Sequence, residues 1–178
     1  MTNQELYKNQ LRSAMSWLAE KDDTLFLGQS VKYPGTGMFD TLDHINHNKK
    51  LEFPVAENFQ MGFSIGMSLN GIVPISVFPR WNFLLCATDQ LVNHLDKLNK
   101  MSDGGYLPKV IIRVAVGSET PIDPQDQHKG NFSTAFAKML DYVNIIELTE
   151  PSMILPMYKF AYEGSGSTIM VEFPDYGK

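Results

Sequence analysis

The sequence predicts an α/β fold: a doubly wound, mostly parallel sheet with helices packed on both faces. Three observations predict it. Short apolar runs alternate along the chain with longer stretches of helical period, as repeated strand–helix–strand units require. The runs are nearly continuous in Val, Ile, Leu and Phe, the pattern of strands buried on both faces. Glycine and proline punctuate the joints. Right-handed crossovers then wind helices onto both sides of the sheet.

In chain order, Thr2 and Glu5 form a capping box that opens a first helix, ending near residue 20. Residues 24–28, Thr-Leu-Phe-Leu-Gly, predict a buried strand. A loop with Pro34, Gly35 and Gly37 follows, then a short helix over 38–45 and a short strand over 51–53. Residues 57–70 predict a helix almost free of charge after its first residue, hence buried on most of its surface. Gly71 is its C-terminal stop. A strong strand covers 72–78. Residues 81–100 predict one long helix with Leu84, Leu85, Thr88, Leu91, Val92 and Leu95 along one side. A third strong strand covers 109–116, and residues 117–129, with Pro121 and Pro124, form a loop. Residues 132–140 predict a helix, 143–148 a strand, 151–163 a helix and 168–173 the last strand. Pro151 suits the first turn of its helix; Pro156, inside it, is a potential kink.

Composition narrows the function classes. The 178 residues suit one compact domain, residues 1–178. A net charge of −5 without a basic block argues against nucleic acid or an anionic membrane as the main partner. The apolar runs fall short of the ~20 residues that span a bilayer. With the single cysteine, Cys86, no internal disulfide forms, and no signal-peptide pattern precedes the first helix, so a cytoplasmic location is expected. Cys86 lies beside Leu84, Leu85 and Ala87, which predicts an inert buried thiol. His44 and His47 lack a third ligand, so no metal site is expected. Gly35-Thr36-Gly37 lacks the rest of a phosphate-binding fingerprint.

Ligands of such sheets gather where the strands' carboxyl ends emerge. Glu57, Phe83 and His128 each follow a predicted strand and converge on that edge. Glu57 opens an apolar helix. The helix dipole favours its ionised form and burial opposes it, so it is either a residue for proton chemistry or a simple complement to the dipole. In Phe78-Pro79-Arg80-Trp81-Asn82-Phe83, three aromatics compete between ligand stacking and core packing. Arg80 is either a ligand for a substrate carboxylate or phosphate or a solvated loop charge. His128 is a catalytic candidate or a surface loop histidine.

Pro54-Val55-Ala56-Glu57-Asn58, the spacing of Gly62 and Gly66, and Gly71-Ile72-Val73-Pro74-Ile75 together resemble the pyrimidine-binding domain of transketolase-like thiamine-diphosphate enzymes. The nearest likeness is to the beta subunit of 2-oxoacid (pyruvate or branched-chain) dehydrogenases. The resemblance continues through Phe83, Asp89-Gln90-Leu91-Val92-Asn93, Ser102-Asp103-Gly104-Gly105, Val110-Ile111-Ile112-Arg113 and Gln127-His128, and covers a core over residues 22–173 behind an N-terminal helix over 1–21. It implies thiamine diphosphate as cofactor, with Glu57 bonded to the pyrimidine ring nitrogen and favouring the imino tautomer. It implies Phe83, or its neighbour Trp81, stacked on that ring, and His128 near the substrate. The Lys129-Gly130-Asn131 that follows departs from the family's usual continuation.

The family holds the diphosphate through magnesium on a Gly-Asp-Gly…Asn motif. That motif is not in this sequence, and neither is the second domain of typical beta subunits. A partner, an alpha-type diphosphate-binding subunit, is therefore implied, together with self-association through the Gly62/Gly66 helix into a heterotetramer. The implied activity is decarboxylation or ketol/acyl transfer on a small 2-oxoacid or ketose. Two other readings compete: a non-catalytic binding or regulatory protein of the same descent, and a flavodoxin-like domain, for which no acidic cluster stands at a strand end.

Overall fold

A computed structural model describes residues 2–119 and 123–176; residues 120–122 of the predicted loop lie outside the described residues. Six strands run parallel in one sheet: β1 (Thr24–Gly28), β2 (Lys50–Glu52), β3 (Val73–Phe78), β4 (Ile111–Ala115), β5 (Asn144–Glu147) and β6 (Thr168–Glu172), in the order β2-β1-β3-β4-β6-β5. The helices are α1 (Asn3–Ala19), α2 (Gly37–Asp40), α3 (Glu57–Leu69), α4 (Trp81–Leu84), α5 (Leu98–Met101), α6 (Ser133–Phe136) and α7 (Pro151–Glu163).

The sheet divides the apolar residues into two cores. On one face Leu11, Met15 and Leu18 of α1, Met38 of α2, and Ile154 and Tyr158 of α7 meet Phe26, Ile75, Val77, Ile111 and Met170. On the other, Met61 and Ile65 of α3, Trp81, Leu84, Leu91 and Leu95, and Phe136 of α6 meet Phe78, Ile112, Val114, Ile169 and Val171. Both faces of the central strands are therefore apolar, which is why they read as continuous hydrophobic runs.

Local signals in the sequence act as expected at the helix ends. Thr2 Oγ1 accepts from the Glu5 N–H at 3.2 Å, and Glu5 Oε2 accepts from the Thr2 N–H at 2.7 Å. Gly71, at φ +83°, ends α3. Its N–H donates to Ser68 O, and that of Ile72 to Met67 O, a Schellman pair.

The predicted helix over 81–100 is not continuous. After α4 come a 3₁₀ turn, Leu85–Ala87, and a π turn, Gln90–Leu95, before α5. The tight turn puts residues three apart on one side and the wide turn puts residues four apart there. The buried set is consequently Trp81, Leu84, Ala87, Leu91 and Leu95. Leu85 turns outward, and so does Cys86, which is exposed rather than buried. The π turn delivers Asp96 to the interior. Its carboxylate accepts the N–H groups of Asp141, Tyr142 and Val143 at 2.8–3.1 Å and pairs with Lys97 at 2.8 Å. Three shorter departures have local causes. β2 begins at Lys50, a buried residue whose Nζ donates to Leu42 O. α2 and α6 are single turns, too short to bury the whole predicted stretches.

On the α1 face lies a buried ion pair. Arg113 of β4 binds Glu172 of β6 through Nε at 2.7 Å and Nη2 at 2.9 Å. Thr41 Oγ1 accepts from the same guanidinium, and the Tyr158 hydroxyl donates to Glu172.

Burial alone would push the Asp96 carboxyl up, but Lys97 and the backbone N–H groups of Tyr142, Asp141 and Val143 hold it below its ordinary value. A depressed carboxyl contributes stability that is present above its unfolded value and lost as pH falls through the folded one. Stability should therefore decline below about pH 4. Asp96→Asn should be roughly 1–3 kcal/mol less stable near neutrality and converge with the wild type in acid. Urea unfolding at both pH values checks this; a constant gap between the two proteins would contradict it.

Candidate functional site

Because every strand runs the same way, all carboxyl ends emerge along one edge. Glu57 stands there as the first residue of α3, just past β2. It is 8% exposed. Ala56, its N-cap, makes no side-chain cap bond. The Gln29 amide, just past β1, donates to Glu57 Oε1 at 2.9 Å. Among the described residues the carboxylate has no other hydrogen-bond partner. One turn further, Gln60 donates to Ser76 Oγ and Val77 O, both at 3.0 Å, and ties α3 to β3.

A second group forms where β3 and β4 end. The half-buried Phe83 ring lies 5.1 Å from the His128 imidazole, centroid to centroid, tilted by 58°. His128 closes a 3₁₀ turn, Gln125–His128, inside the predicted loop, and its buried Nδ1 has no hydrogen-bond partner among the described residues. Arg80 Nη1 donates to Ser118 O at 3.3 Å and to His128 O at 3.4 Å. Arg80 is thus a tie between loops, not a solvated charge. Burial draws its pKa down while Asp123 and Asp175 oppose that shift. Asn82 donates to Gln127 O, and Lys129 bridges Glu119 at 2.8 Å and Asp123 at 2.9 Å. Arg80 also borders a cavity of about 640 Å³ shared with Tyr7, Thr41, Ser118 and Glu172.

Two expectations change. Trp81 is fully buried, its ring 5.0 Å from that of Phe136 and 6.3 Å from that of Phe132; it is a core residue with no face left for a ligand. Phe78 is buried as well, so of the three aromatics Phe83 alone reaches the edge. Glu57 makes no hydrogen bond to the Phe83–His128 group; its partner is Gln29. Sequence reasoning missed Gln29, for which the only signal is its place directly after a strand's terminal glycine. His44 contacts Ser16 and Asp43, and among the described residues no three His, Cys, Asp or Glu side chains gather as a metal site.

The outer side of α3 is apolar. Phe59, 59% exposed, and Phe63 cluster with Phe53 at centroid distances of 5.2–6.0 Å. A groove runs along them over Gly62 and Gly66, with Met67 and Gln90 on its walls. Gly66 faces open space, while Gly62 faces Gln90.

No family model matches the chain. It is 31% identical to the mitochondrial pyruvate dehydrogenase E1 component subunit beta of Saccharomyces cerevisiae over 127 residues, covering 69% of this chain and 34% of the yeast protein. It is 33% identical to the corresponding subunit of Cyanidium caldarium over 107 residues, 58% of this chain and 33% of that one. The chain is homologous to dehydrogenase beta subunits. The 2-oxoisovalerate dehydrogenase subunit beta of Pseudomonas aeruginosa extends the set, at 28% identity over 112 residues, 60% of this chain and 32% of that one. The chain spans about a third of the length of the curated relatives it matches. Its fold is that of a split-gene transketolase solved as an inactive beta4 tetramer, with a TM-score of 0.71 at 15% identity over 99% of this chain and 52% of that one.

The His128 loop depends on a close approach. A Cβ on Gly117 would lie 2.1 Å from His128 O and 2.6 Å from Lys129 Cα, so only glycine allows the loop to seat there. Gly117→Ala should displace His128 and cost roughly 1–3 kcal/mol of stability. Imidazole NMR shifts and a thermal melt check it; an unmoved His128 resonance at wild-type stability would contradict it.

Proposed function

We propose that this chain is the pyrimidine-domain subunit of a two-chain thiamine-diphosphate enzyme acting on a 2-oxoacid or ketose, by decarboxylation or by ketol or acyl transfer. The observation that carries the reading is Glu57: a buried carboxylate at the carboxyl edge of the sheet with one oxygen held by Gln29 and the other without a partner among the described residues, in a chain homologous to 2-oxoacid dehydrogenase beta subunits.

The residues present fit the cofactor's aminopyrimidine. Among the described residues Glu57 Oε2 is an acceptor in want of a donor and His128 Nδ1 is a buried nitrogen without a partner, and Phe83 offers a half-exposed aromatic ring. When bound, thiamine diphosphate supplies a carbon nucleophile for the substrate carbonyl and an electron sink for the bond that breaks. In this reading Glu57 shares a proton with the pyrimidine ring nitrogen, where a short hydrogen bond in a dry site acts far more strongly than in water. Phe83 would offer the ring an aromatic surface. His128 binds or protonates the substrate oxygen, and Arg80, on the wall of the adjoining cavity, faces a substrate carboxylate.

Magnesium and the diphosphate belong, in this reading, to an alpha-type partner carrying Gly-Asp-Gly…Asn. The exposed Phe59 and Phe63 and the groove over Gly66 support self-association through α3, and two copies with two partners make a heterotetramer. The split-gene transketolase neighbour, a beta4 tetramer that is inactive, supports a chain of this fold that assembles with itself and lacks activity alone.

The test is to tag the chain, purify it with its partner, and assay 2-oxoacid turnover with thiamine diphosphate and magnesium. Glu57→Gln should fold as the wild type by circular dichroism and lose on the order of 100-fold in turnover. Wild-type turnover in this mutant would remove Glu57 from the mechanism. His128→Ala should lower turnover with cofactor affinity kept, since it acts on the substrate; equal losses in both would move it to the cofactor.

A further inference from the structure

The turn after β1 is held by a side chain from β2. Glu52, the last residue of β2, directs its carboxylate at three successive backbone N–H groups of that turn: Oε1 accepts from Ser30 at 2.6 Å, and Oε2 accepts from Val31 at 2.9 Å and Lys32 at 2.7 Å. Ser30 sits at φ +56°, a left-handed conformation that a serine adopts under constraint. β1 and β2 are paired so that Gly28 lies opposite Glu52, which puts the carboxylate at the mouth of the turn. Charge-assisted bonds to backbone N–H groups are among the stronger ones in a protein. Gln29, between Gly28 and Ser30, is therefore set in place by Glu52, and from there its amide reaches Glu57 Oε1.

We propose that Gln29 is the positioning residue for Glu57, and that Glu52 holds Gln29 in place for this purpose. The role rests on the reading of Glu57 given under the proposed function. A carboxylate on a freely rotating side chain presents either oxygen in any plane. With Oε1 bonded to a fixed amide, its plane is set and Oε2 becomes the acceptor offered to a ligand. The amide does not titrate across the working pH range, so its N–H remains a donor and an ionised Glu57 always meets one there. A glutamate in its place would set two carboxylates about 3 Å apart, and such a pair does not ionise twice without repulsion. Glu57 is the first residue of α3, behind an N-cap, Ala56, that makes no side-chain cap bond, and Gln29 is the one hydrogen-bond partner of its carboxylate among the described residues.

The test uses the tagged chain with its co-purified partner. Thiamine diphosphate affinity is measured by calorimetry across pH for the wild type, Gln29→Leu, Gln29→Glu and Glu52→Ala, with Glu57→Gln turnover as the control on the site. Gln29→Leu should weaken binding about 10-fold, the size of one charged hydrogen bond, with the thermal midpoint unchanged. Gln29→Glu should bind progressively more weakly as pH rises and the second carboxylate ionises, a dependence the wild type lacks. Glu52→Ala should weaken binding like Gln29→Leu. In the chain without cofactor, its Gln29 side-chain amide should exchange with water faster than in the wild type, an effect independent of enzyme activity. If Glu57→Gln loses turnover while both Gln29 variants bind as the wild type at every pH, the positioning role is wrong and the proposed function stands. If Glu57→Gln turns over normally, both are wrong.

Discussion

Arg113 is a cation on a central strand, at a point where both faces of the sheet are covered. Without a partner, such a charge would cost several kcal/mol in lost hydration. Glu172, on the neighbouring strand, offsets this with a two-point bond, and Tyr158 and Thr41 complete the cluster. One interaction thereby joins β4, β6, α7 and the segment after α2. It also aligns the exits of β4 and β6, where Ser118 Oγ donates to Asp175 at 2.7 Å. The loop that bears His128 is seated on this platform through Gly117 and Arg80. The second half of the candidate site thus rests on an ion pair whose Glu172 also borders the cavity beside Arg80.

The site has two halves because of how the chain crosses the sheet. From β1 the chain moves outward to β2, then returns past β1 to β3 and continues the other way to β4. The direction of winding reverses between β1 and β3, and a reversal of this kind opens a crevice at the carboxyl edge. Glu57, Gln29 and Glu52 stand on the β1–β2 side of it. Phe83, Arg80 and His128 stand on the β3–β4 side. A ligand lying across the crevice meets an acid on one side and an aromatic ring and an imidazole on the other.

Much of this was legible because much of it is local. Apolar runs, the Thr2–Glu5 box and the Gly71 stop act over a few residues, and the structure keeps them. The long helix over 81–100 failed for the opposite reason. Its π turn serves Asp96, whose backbone partners lie some 45 residues on, and nothing within the helix announces that bond. Trp81 and Phe83 are two residues apart, too close for pattern alone to say which one faces the core. Cys86 was misplaced with them, since the tightened turn rotates it outward. Gln29 had no pattern at all: a polar residue after a strand is ordinary until Glu52 and Glu57 are seen on either side of it.

The spacing of the Arg113–Glu172 pair bears on how the chain is made. The two residues are 59 positions apart, so on the ribosome the cation emerges long before its counterion. Until β6 is available, β4 has an exposed edge and a charge that cannot be buried without penalty, and the N-terminal half gains little by collapsing early. Consolidation of the sheet is then expected to follow translation of β6 rather than accompany that of β1, β3 and β4. In that interval the segment that bears Arg113 is expected to stay open and solvated.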